Sequence, residues 1–363
     1  MNLSGPAQRE ISLAVAGGGI IGLSIAWRLA QSGYSVTVFD QNVAGGEASW
    51  AGAGMLAPGG EFETSSRLTE LAIASRREYR SFVHQLEKES GASIDFQECG
   101  ALELAFSEEV LQVLNSRASQ QSTLGIQSKP LEPSQVYAFW PRIRREGLAG
   151  ARFYPDDAVV NPREMVEALK TACGRRGVRL REHCGVQGLT IGSEGVMVET
   201  EQGSAGYHAV VIAAGAWSSQ LKVKGAPDLP STRPVKGHLI GYHQPQQTCA
   251  TIVRHGKSYF LQRANGLLIA GASVEHVGFA REINQTRTYE LAEQASFVFP
   301  HLAETSPSEA WIGFRPGGEQ LQLGTWHSDK LYLAYGHYRN GILLAPITAR
   351  EITEDVNANW QKQ

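Results

Sequence analysis

A glycine-rich run near the start of the chain has the spacing of a phosphate-binding turn. The run GGGIIG occupies residues 17–22 and directly follows the apolar segment Ile11–Ala16. Gly17 permits a tight turn, Gly19 lets backbone approach a pyrophosphate, and Gly22 lets the next helix pack closely against the strand. The N-terminus of that helix adds free N–H groups and a partial positive charge. This chemistry indicates a bound dinucleotide, and the turn alone does not distinguish NAD from FAD.

An acidic residue completes the pattern. A second apolar run, Ser35–Phe39, ends in Asp40, 18 residues after Gly22. A carboxylate at the end of this strand can accept hydrogen bonds from ribose hydroxyls. The alternative is an ordinary glycine-rich turn, because a chain with 39 glycines produces accidental matches. The order of strand, turn, helix, strand and acid favours a nucleotide-binding βαβ unit.

Two arginines near the C-terminus lie beside tight turns. Arg315 stands in WIGFRPGG, residues 311–318, and Arg339 stands in GHYRNG, residues 336–341. A planar guanidinium can bind both oxygens of a carboxylate, so the pair suggests recognition of a carboxylate ligand. Structural arginines in surface ion pairs explain the composition equally well. A helix beginning at Asn340–Ile342 offers a second place to hold negative charge.

Two further segments permit close approach of a ligand to backbone. Residues 45–60 read GGEASWAGAGMLAPGG, and this loop has few large side chains apart from Trp50 and Met55. A ligand lying flat against the loop explains this composition better than a flexible linker does. The apolar strand Ala209–Ala214 runs into Gly215, at the strand edge where ligands of α/β sheets bind.

The elements around these segments predict an α/β fold, α+β overall, in which an antiparallel substrate domain is inserted into a Rossmann-like domain. Helices are predicted over 67–90 and 161–176, and paired strands are predicted over 96–106 around Gly100. Short alternating runs within 231–272 indicate an antiparallel sheet. The predicted division assigns residues 1–90, 150–225 and 306–363 to the nucleotide domain and residues 91–149 and 226–305 to the substrate domain.

Composition limits the class of protein. The 363 residues are 42% hydrophobic and 19% charged, with a net charge of −3, which predicts a soluble globular protein and argues against nucleic acid or an anionic membrane as a partner. The start MNLSGPAQRE lacks the pattern of a secretory signal. Cys99, Cys173, Cys184 and Cys249 are isolated and are predicted to be free thiols rather than disulfides or metal ligands. We therefore expect a cytoplasmic protein without a metal site.

Several longer strings resemble one family. The segments GEASWAGAGMLAP at 46–58, AAGAW at 213–217, RPVKG at 233–237, RPG at 315–317 and GHYRNGILLAP at 336–346 join the glycine turn. Together they are similar to flavoprotein amine oxidases of the D-amino-acid oxidase superfamily, most closely the glycine oxidases of thiamine biosynthesis. The resemblance extends along the whole chain. It implies non-covalently bound FAD, a D-amino-acid-oxidase-like fold and assembly as a homotetramer.

The resemblance also implies residue roles. Arg315 would pair with a substrate carboxylate, helped by Arg339 and Tyr259, while Val274 and Met55 would line the substrate pocket. The implied cofactor-binding residues are Gly17, Gly19, Ile20, Ile21, Gly22, Asp40, Gln41, Ala48, Ser49, Ala53, Gly54, Met55, Val186, Gly215, His337, Tyr338, Arg339, Asn340, Gly341, Ile342 and Leu343.

The activity implied is oxidation of glycine or a small N-substituted glycine. Hydride would pass from the substrate Cα to flavin N5, the imine would hydrolyse to glyoxylate and an amine or ammonia, and dioxygen would become hydrogen peroxide. A larger D-amino acid or bulky secondary amine is an alternative substrate, and a dehydrogenase with another electron acceptor is an alternative enzyme. A binding protein that retains flavin without chemistry is a third class.

The chain departs from the family pattern in three places on the substrate side. Residues 317–324, GGEQLQLG, lack the family's D-G-x-P, and Leu261-Gln262-Arg263 replaces V-P-R. His238 follows RPVKG where glutamine is common. Because these differences lie on the substrate side, they affect the prediction of the substrate and leave the prediction of FAD unchanged.

Overall fold

The computed structural model describes residues 11–244 and 251–360, so the starting segment and Cys249 lie outside the described residues. Within those ranges no helix is long and apolar enough to cross a membrane. The α-helices are Ile20–Gln31, Ala48–Ala51, Arg67–Ser90, Glu108–Thr123, Pro133–Phe139, Pro162–Arg175, Gln285–Val298 and Gly341–Trp360. The 3-10 helices are Pro58–Gly60, Gly215–Gln220 and Pro300–Leu302.

A six-stranded sheet holds the glycine turn. Its five strands from Ser328–Tyr335 to Arg179–Arg181 run parallel, and one antiparallel edge strand adds to them. The spatial order is Gln322–Trp326, Ser328–Tyr335, Ala209–Ile212, Ser12–Ala16, Ser35–Phe39 and Arg179–Arg181. Strands are added on one side of Ser12–Ala16 as far as Arg179–Arg181, and the later strands are added on its other side, so the strand order reverses at Ser12–Ala16. Ligands of α/β sheets bind at such a point, and the glycine turn follows this strand.

An eight-stranded sheet forms the second large layer. Its neighbours pair antiparallel except for Ile252–His255 with Ala101–Ala105. The spatial order is Glu309–Gly317, Arg233–His243, Leu267–Gly271, Ser258–Gln262, Ile252–His255, Ala101–Ala105, Gly150–Tyr154 and Lys129–Leu131.

Two smaller sheets complete the described chain. One has the order Gly203–Tyr207, Val196–Thr200, Val186–Ile191 and Lys222–Lys224. The other joins Met55–Leu56, Ala158–Val160 and Phe96–Gln97.

Side chains of the six-stranded sheet are buried on both faces. Leu13 and Val15 pack in a core with helix residues such as Trp27, whereas Ala14 packs in another core with Leu189 of the four-stranded sheet. Because alternate residues of a strand point to opposite faces, a strand covered on both sides is apolar throughout. This burial explains the unbroken apolar run before the glycine turn.

Most predicted elements are confirmed, and one predicted strand pairing is wrong. The helix predicted over 67–90 is Arg67–Ser90, and the antiparallel sheet within 231–272 is present. The pairing around Gly100 was wrong, because Phe96–Gln97 pairs with Ala158–Val160 while Ala101–Ala105 pairs in the eight-stranded sheet. Local alternation cannot show which sheet a strand joins.

Two strands of the predicted nucleotide domain pair in the other large sheet. Strands Gly150–Tyr154 and Glu309–Gly317 were assigned to the nucleotide domain, yet both pair within the eight-stranded sheet. Sequence composition gives no sign of which sheet each of these strands joins. We propose a nucleotide domain built on the six-stranded sheet and a substrate domain built on the eight-stranded sheet, with borders after residues 154 and 317.

Candidate active site

A cavity of about 480 Å³ joins the glycine turn to the arginines. Its wall includes Gly17 and Asp40 from the six-stranded sheet and Tyr259 and Arg315 from the eight-stranded sheet. Strands from the two sheets thus bring residues almost 300 positions apart into one site. The size, mixed lining and position between two sheets fit a small-molecule site.

The glycine turn has no room for side chains. Gly17 has φ of +112°, and a Cβ there would lie 2.3 Å from the carbonyl oxygen of Ala213. A Cβ on Gly22 would lie 1.9 Å from the carbonyl oxygen of Gly17. Ser49 accepts a 2.9 Å hydrogen bond from the Ile20 amide at the start of helix Ile20–Gln31. Gly17 and Gly22 therefore occupy positions where a side chain would clash with backbone, as their spacing predicts.

Asp40 lies at the end of its strand and lines the cavity. Its carboxylate accepts the Gly18 amide and the Asn42 amide, both at 2.8 Å. Burial raises the pKa of Asp40, while these two hydrogen bonds oppose the rise. The carboxylate thus both fixes the glycine turn and faces the ligand space.

The small-residue loop lies along the cavity from Gly45 to Met55. A Cβ on Gly54 would lie 1.8 Å from the Val160 carbonyl oxygen, and a Cβ on Gly52 would lie 2.5 Å from Ile342 Cδ1. The buried Arg263 guanidinium donates to the Gly52 carbonyl at 3.2 Å. The glycines at positions 52 and 54 are thus required by the packing of this loop.

The C-terminal turn reaches the cavity ahead of helix Gly341–Trp360. His337 is buried, its Nε2 lies 3.0 Å from Thr348 Oγ1, and burial lowers the pKa of His337 to about 3. Tyr79 and Ser75 of helix Arg67–Ser90 donate to the carbonyls of Ile342 and Leu343. The first helical turn is therefore rigidly held with its positive end at the cavity.

Arg315 lies on the cavity wall with a neutral partner. Its Nη1 donates to the Ser273 carbonyl at 3.1 Å, and within residues 11–244 and 251–360 it forms no ion pair with a carboxylate. Burial lowers the pKa of Arg315. A Cβ on Gly237, in the adjacent strand, would lie 2.5 Å from both terminal nitrogens of the guanidinium. The glycine makes room for the arginine.

Tyr259 stands next to Arg315 in this part of the cavity. It is 9% exposed, and a Cβ on Gly271 would lie 2.6 Å from its hydroxyl. Burial raises the pKa of Tyr259, and the charge of Arg315 opposes the rise. The phenol is therefore protonated at neutral pH and can donate a hydrogen bond.

Arg339 differs from Arg315 because it has a carboxylate partner. Its Nη2 lies 3.0 Å from Glu61 Oε1. Burial raises the pKa of Glu61, with Arg339 opposing. Glu61 also lines the cavity and was missed by the sequence interpretation, since an isolated glutamate in a loop has no motif.

The structure brings most predicted site residues to the cavity, and four lie elsewhere. Leu343 points into the core, Gly22 packs beneath the turn, and Asn340 donates its amide to the His337 carbonyl. Val274 is 49% exposed and does not line the cavity. Its neighbours on both sides contact His238, so in this extended segment the side chain between them points outward. Trp217, Phe314 and Gln187 line the cavity and were not predicted.

The cavity residues fit FAD. The glycine turn, the helix N-terminus beside it and Asp40 supply donors for phosphates and an acceptor for ribose. The small-residue loop and the start of the helix at Gly341 extend this surface toward Arg315. The cavity therefore has space for the flavin end of the cofactor as well.

Comparisons with known proteins also indicate an FAD-binding enzyme. The family model "FAD dependent oxidoreductase" matches residues 12–355. The glycine oxidase of Geobacillus kaustophilus is 32% identical to this chain over 93% of this chain and 90% of its own length. A bifunctional protein ThiO/ThiG of Synechocystis is 34% identical over 96% of this chain, which corresponds to 52% of that longer protein.

Solved structures agree in fold. The crystal structure of glycine oxidase from Geobacillus kaustophilus matches with a TM-score of 0.89 at 31% identity, covering 95% of this chain and 94% of the other. Glycine oxidase from Bacillus cereus matches with a TM-score of 0.88 at 28% identity, covering 98% and 96%.

Proposed function

Because this chain belongs to the FAD-dependent oxidoreductase family, we propose that it oxidises glycine or a small N-substituted glycine. The products would be glyoxylate and ammonia or an amine, with dioxygen reduced to hydrogen peroxide. The likeness to glycine oxidases supports this substrate class. Dioxygen as acceptor and a homotetrameric assembly stay predictions from the resemblance.

The main support for this proposal is Arg315, which has no carboxylate partner among the described residues. A guanidinium that has only a neutral carbonyl partner and faces a cavity is a site for an anionic ligand. Arg339 is already paired with Glu61, so among the described residues that line the cavity Arg315 is the arginine without a carboxylate partner. A ligand with a single carboxylate, such as glycine, fits this charge.

Protein groups would bind and orient the substrate. Arg315 would hold the carboxylate, and the protonated Tyr259 hydroxyl would donate a second hydrogen bond to it. When bound, FAD supplies the two-electron acceptor for oxidation of the C–N bond. The first turn of helix Gly341–Trp360 would stabilise negative charge that develops at the cofactor end of the cavity.

A larger amine is the second candidate. Val274 is predicted on the pocket wall, but it is 49% exposed and is absent from the cavity lining. Without this side chain in the lining a longer N-substituent would have more room, and Arg315 would hold the carboxylate equally well.

The test is anaerobic reduction of bound flavin, followed near 450 nm (roughly, as for an oxidised flavin cofactor). Glycine, sarcosine, longer N-alkylglycines and D-alanine would be compared, and air would then be admitted. Arg315→Ala should weaken carboxylate binding by about 2–5 kcal/mol, because a charged hydrogen-bonded partner is lost. Arg233→Ala is the matched control, since Arg233 is exposed on the strand that pairs with the Arg315 strand. Unchanged turnover and KM in Arg315→Ala would contradict the proposal.

A further inference from the structure

A buried histidine stands directly behind the candidate carboxylate site. His238 is fully buried in strand Arg233–His243, next to Gly237, which makes room for Arg315. The family resemblance gives this position no role, and it is one of the places where the chain departs from the family pattern. Its contacts lead to Arg315 through a single residue, Ser273.

Every polar group of His238 holds the segment 273–284, which we call the strap. The His238 amide donates to Ser273 Oγ at 2.9 Å, and its carbonyl accepts the Ser273 amide at 3.3 Å. Its Nδ1 lies 2.8 Å from Glu275 Oε1 and 3.0 Å from Ser273 Oγ. Its Nε2 accepts the Asn284 amide at 2.9 Å.

These contacts determine the protonation of the ring. Because Nε2 accepts a backbone N–H, the proton is on Nδ1, which donates to Glu275. A doubly protonated ring would direct an N–H at the Asn284 amide. Burial lowers the pKa of His238, with Glu275 opposing and Lys236 and Arg287 adding to the lowering. The hydrogen-bond geometry and the burial of the side chain therefore agree on a neutral ring.

The strap in turn holds Arg315. The Ser273 carbonyl accepts the 3.1 Å hydrogen bond from Arg315 Nη1, and Ser273 Oγ donates to Glu275 at 3.2 Å. Farther along the strap, Phe279 stacks on Trp217 of the cavity wall with centroids 4.6 Å apart. Arg281 pairs with Glu47, also of the cavity wall, at 2.7 Å. The strap is thus attached to the site at several points, and His238 fixes the one that touches Arg315.

We propose that His238 is a positioning residue for carboxylate binding: its Nδ1 contacts fix Ser273, and the Ser273 carbonyl sets the orientation of the Arg315 guanidinium. This inference rests on the proposed function, in which Arg315 binds the substrate carboxylate. It predicts that the effect of changing His238 appears in carboxylate affinity and KM, while the rate of flavin reduction at saturating glycine changes little.

Two substitutions distinguish the roles of the two ring nitrogens of His238. In His238→Asn the side-chain amide occupies the place of Nδ1 and can still donate to Glu275. In His238→Gln the amide occupies the place of Nε2 and can accept the Asn284 amide, but the Nδ1 contacts are lost. Acetate binding to the FAD-loaded enzyme, followed by the change in flavin absorbance, measures carboxylate affinity without catalysis. We expect acetate Kd to rise about tenfold in His238→Gln and less than about threefold in His238→Asn.

The same measurement in an Arg315→Ala background completes a double-mutant cycle. There the two His238 variants should bind acetate equally, because the arginine that they orient is gone. Equal acetate affinity in wild type, His238→Gln and His238→Asn would overturn the inference, as would a larger loss in His238→Asn. If either variant does not fold, Ser273→Ala replaces it, with an expected rise of about threefold that disappears in the Arg315→Ala background.

Failure of the proposed function would give a different result. In that case wild type would not bind acetate, or Arg315→Ala would bind it as wild type does, whatever residue stands at 238. The two conclusions are therefore tested by different comparisons within one set of titrations.

Discussion

The two ends of the cavity differ in composition: one end is rich in glycines packed against backbone, and the other is formed by ionisable side chains. At the end formed by residues 17–22 and 45–55, the glycine end, a Cβ on Gly17, Gly22 or Gly54 would lie within 2.3 Å of a backbone carbonyl oxygen. The other end, formed by Glu61, Tyr259, Arg315 and Arg339, the charged end, consists of ionisable side chains. The glycine end presents amides and shape, and the charged end presents charge.

This difference determines how each end can be altered. At the glycine end a single added methyl group meets backbone, which cannot move without moving a strand or a helix. At the charged end a changed side chain alters electrostatics in a space that already admits a ligand. We therefore expect large losses of cofactor binding from changes at the first end and graded changes of ligand affinity from changes at the second.

The largest effect is expected for Gly22→Ala. The new Cβ would lie 1.9 Å from the Gly17 carbonyl oxygen, so the helix must move away from the phosphate-binding turn. We expect purified Gly22→Ala to retain less than about a tenth of the wild-type flavin, because the turn and the helix N-terminus no longer act together. The measurement is the ratio of flavin to protein absorbance after gel filtration.

Gly174→Ala is the matched control for this prediction. Gly174 also lies in a helix, Pro162–Arg175, and a Cβ there would have no atom within 4 Å. This variant should bind flavin fully and gain up to about 1 kcal/mol of stability from helix propensity. Equal flavin content in both variants would mean that close packing at Gly22 is not needed.

The same contrast explains what the sequence could predict. The glycine end was predictable because steric exclusion leaves glycine at fixed spacing along a short segment, as at Gly17 and Gly22. Arg315 and Arg339 were found beside turns, but their difference was not, because Glu61 pairs with only one of them and lies far away in sequence. For a similar reason the pairing of Glu309–Gly317 with Arg233–His243 could not be predicted, since the two strands are distant along the chain.

An intermediate effect is expected from acid at His337, which also lines the cavity. Burial lowers its pKa to about 3, below the unfolded value near 6.5, so folding disfavours the protonated ring. Stability is therefore highest above pH 6.5 and decreases as pH falls toward 3. A loss of about 2 kcal/mol from this residue is expected between pH 6.5 and 5, at about 1.4 kcal/mol for each unit.

Thermal unfolding and flavin release at a series of pH values test this expectation. In His337→Gln, whose amide can still reach Thr348, the decrease between pH 6.5 and 5 should be smaller than in wild type. His183→Gln is the control, because His183 is exposed. Identical pH dependence in wild type and His337→Gln would show that protonation of His337 does not limit stability.

The smallest effect is expected from Glu61→Gln at the charged end. In wild type, Glu61 lies 3.0 Å from Arg339 and its negative charge opposes the binding of anions in the cavity. Removing that charge leaves Arg339 without an ionic partner, so acetate should bind about two- to fivefold more tightly at pH 8. This corresponds to a gain of about 1 kcal/mol or less in binding free energy, as expected for a partly exposed ion pair. Glu167→Gln, which breaks an exposed pair with Lys170, should leave acetate Kd unchanged. Weaker acetate binding in Glu61→Gln would instead mean that Glu61 is needed to orient Arg339, and the charged end would then resemble the glycine end in depending on fixed geometry.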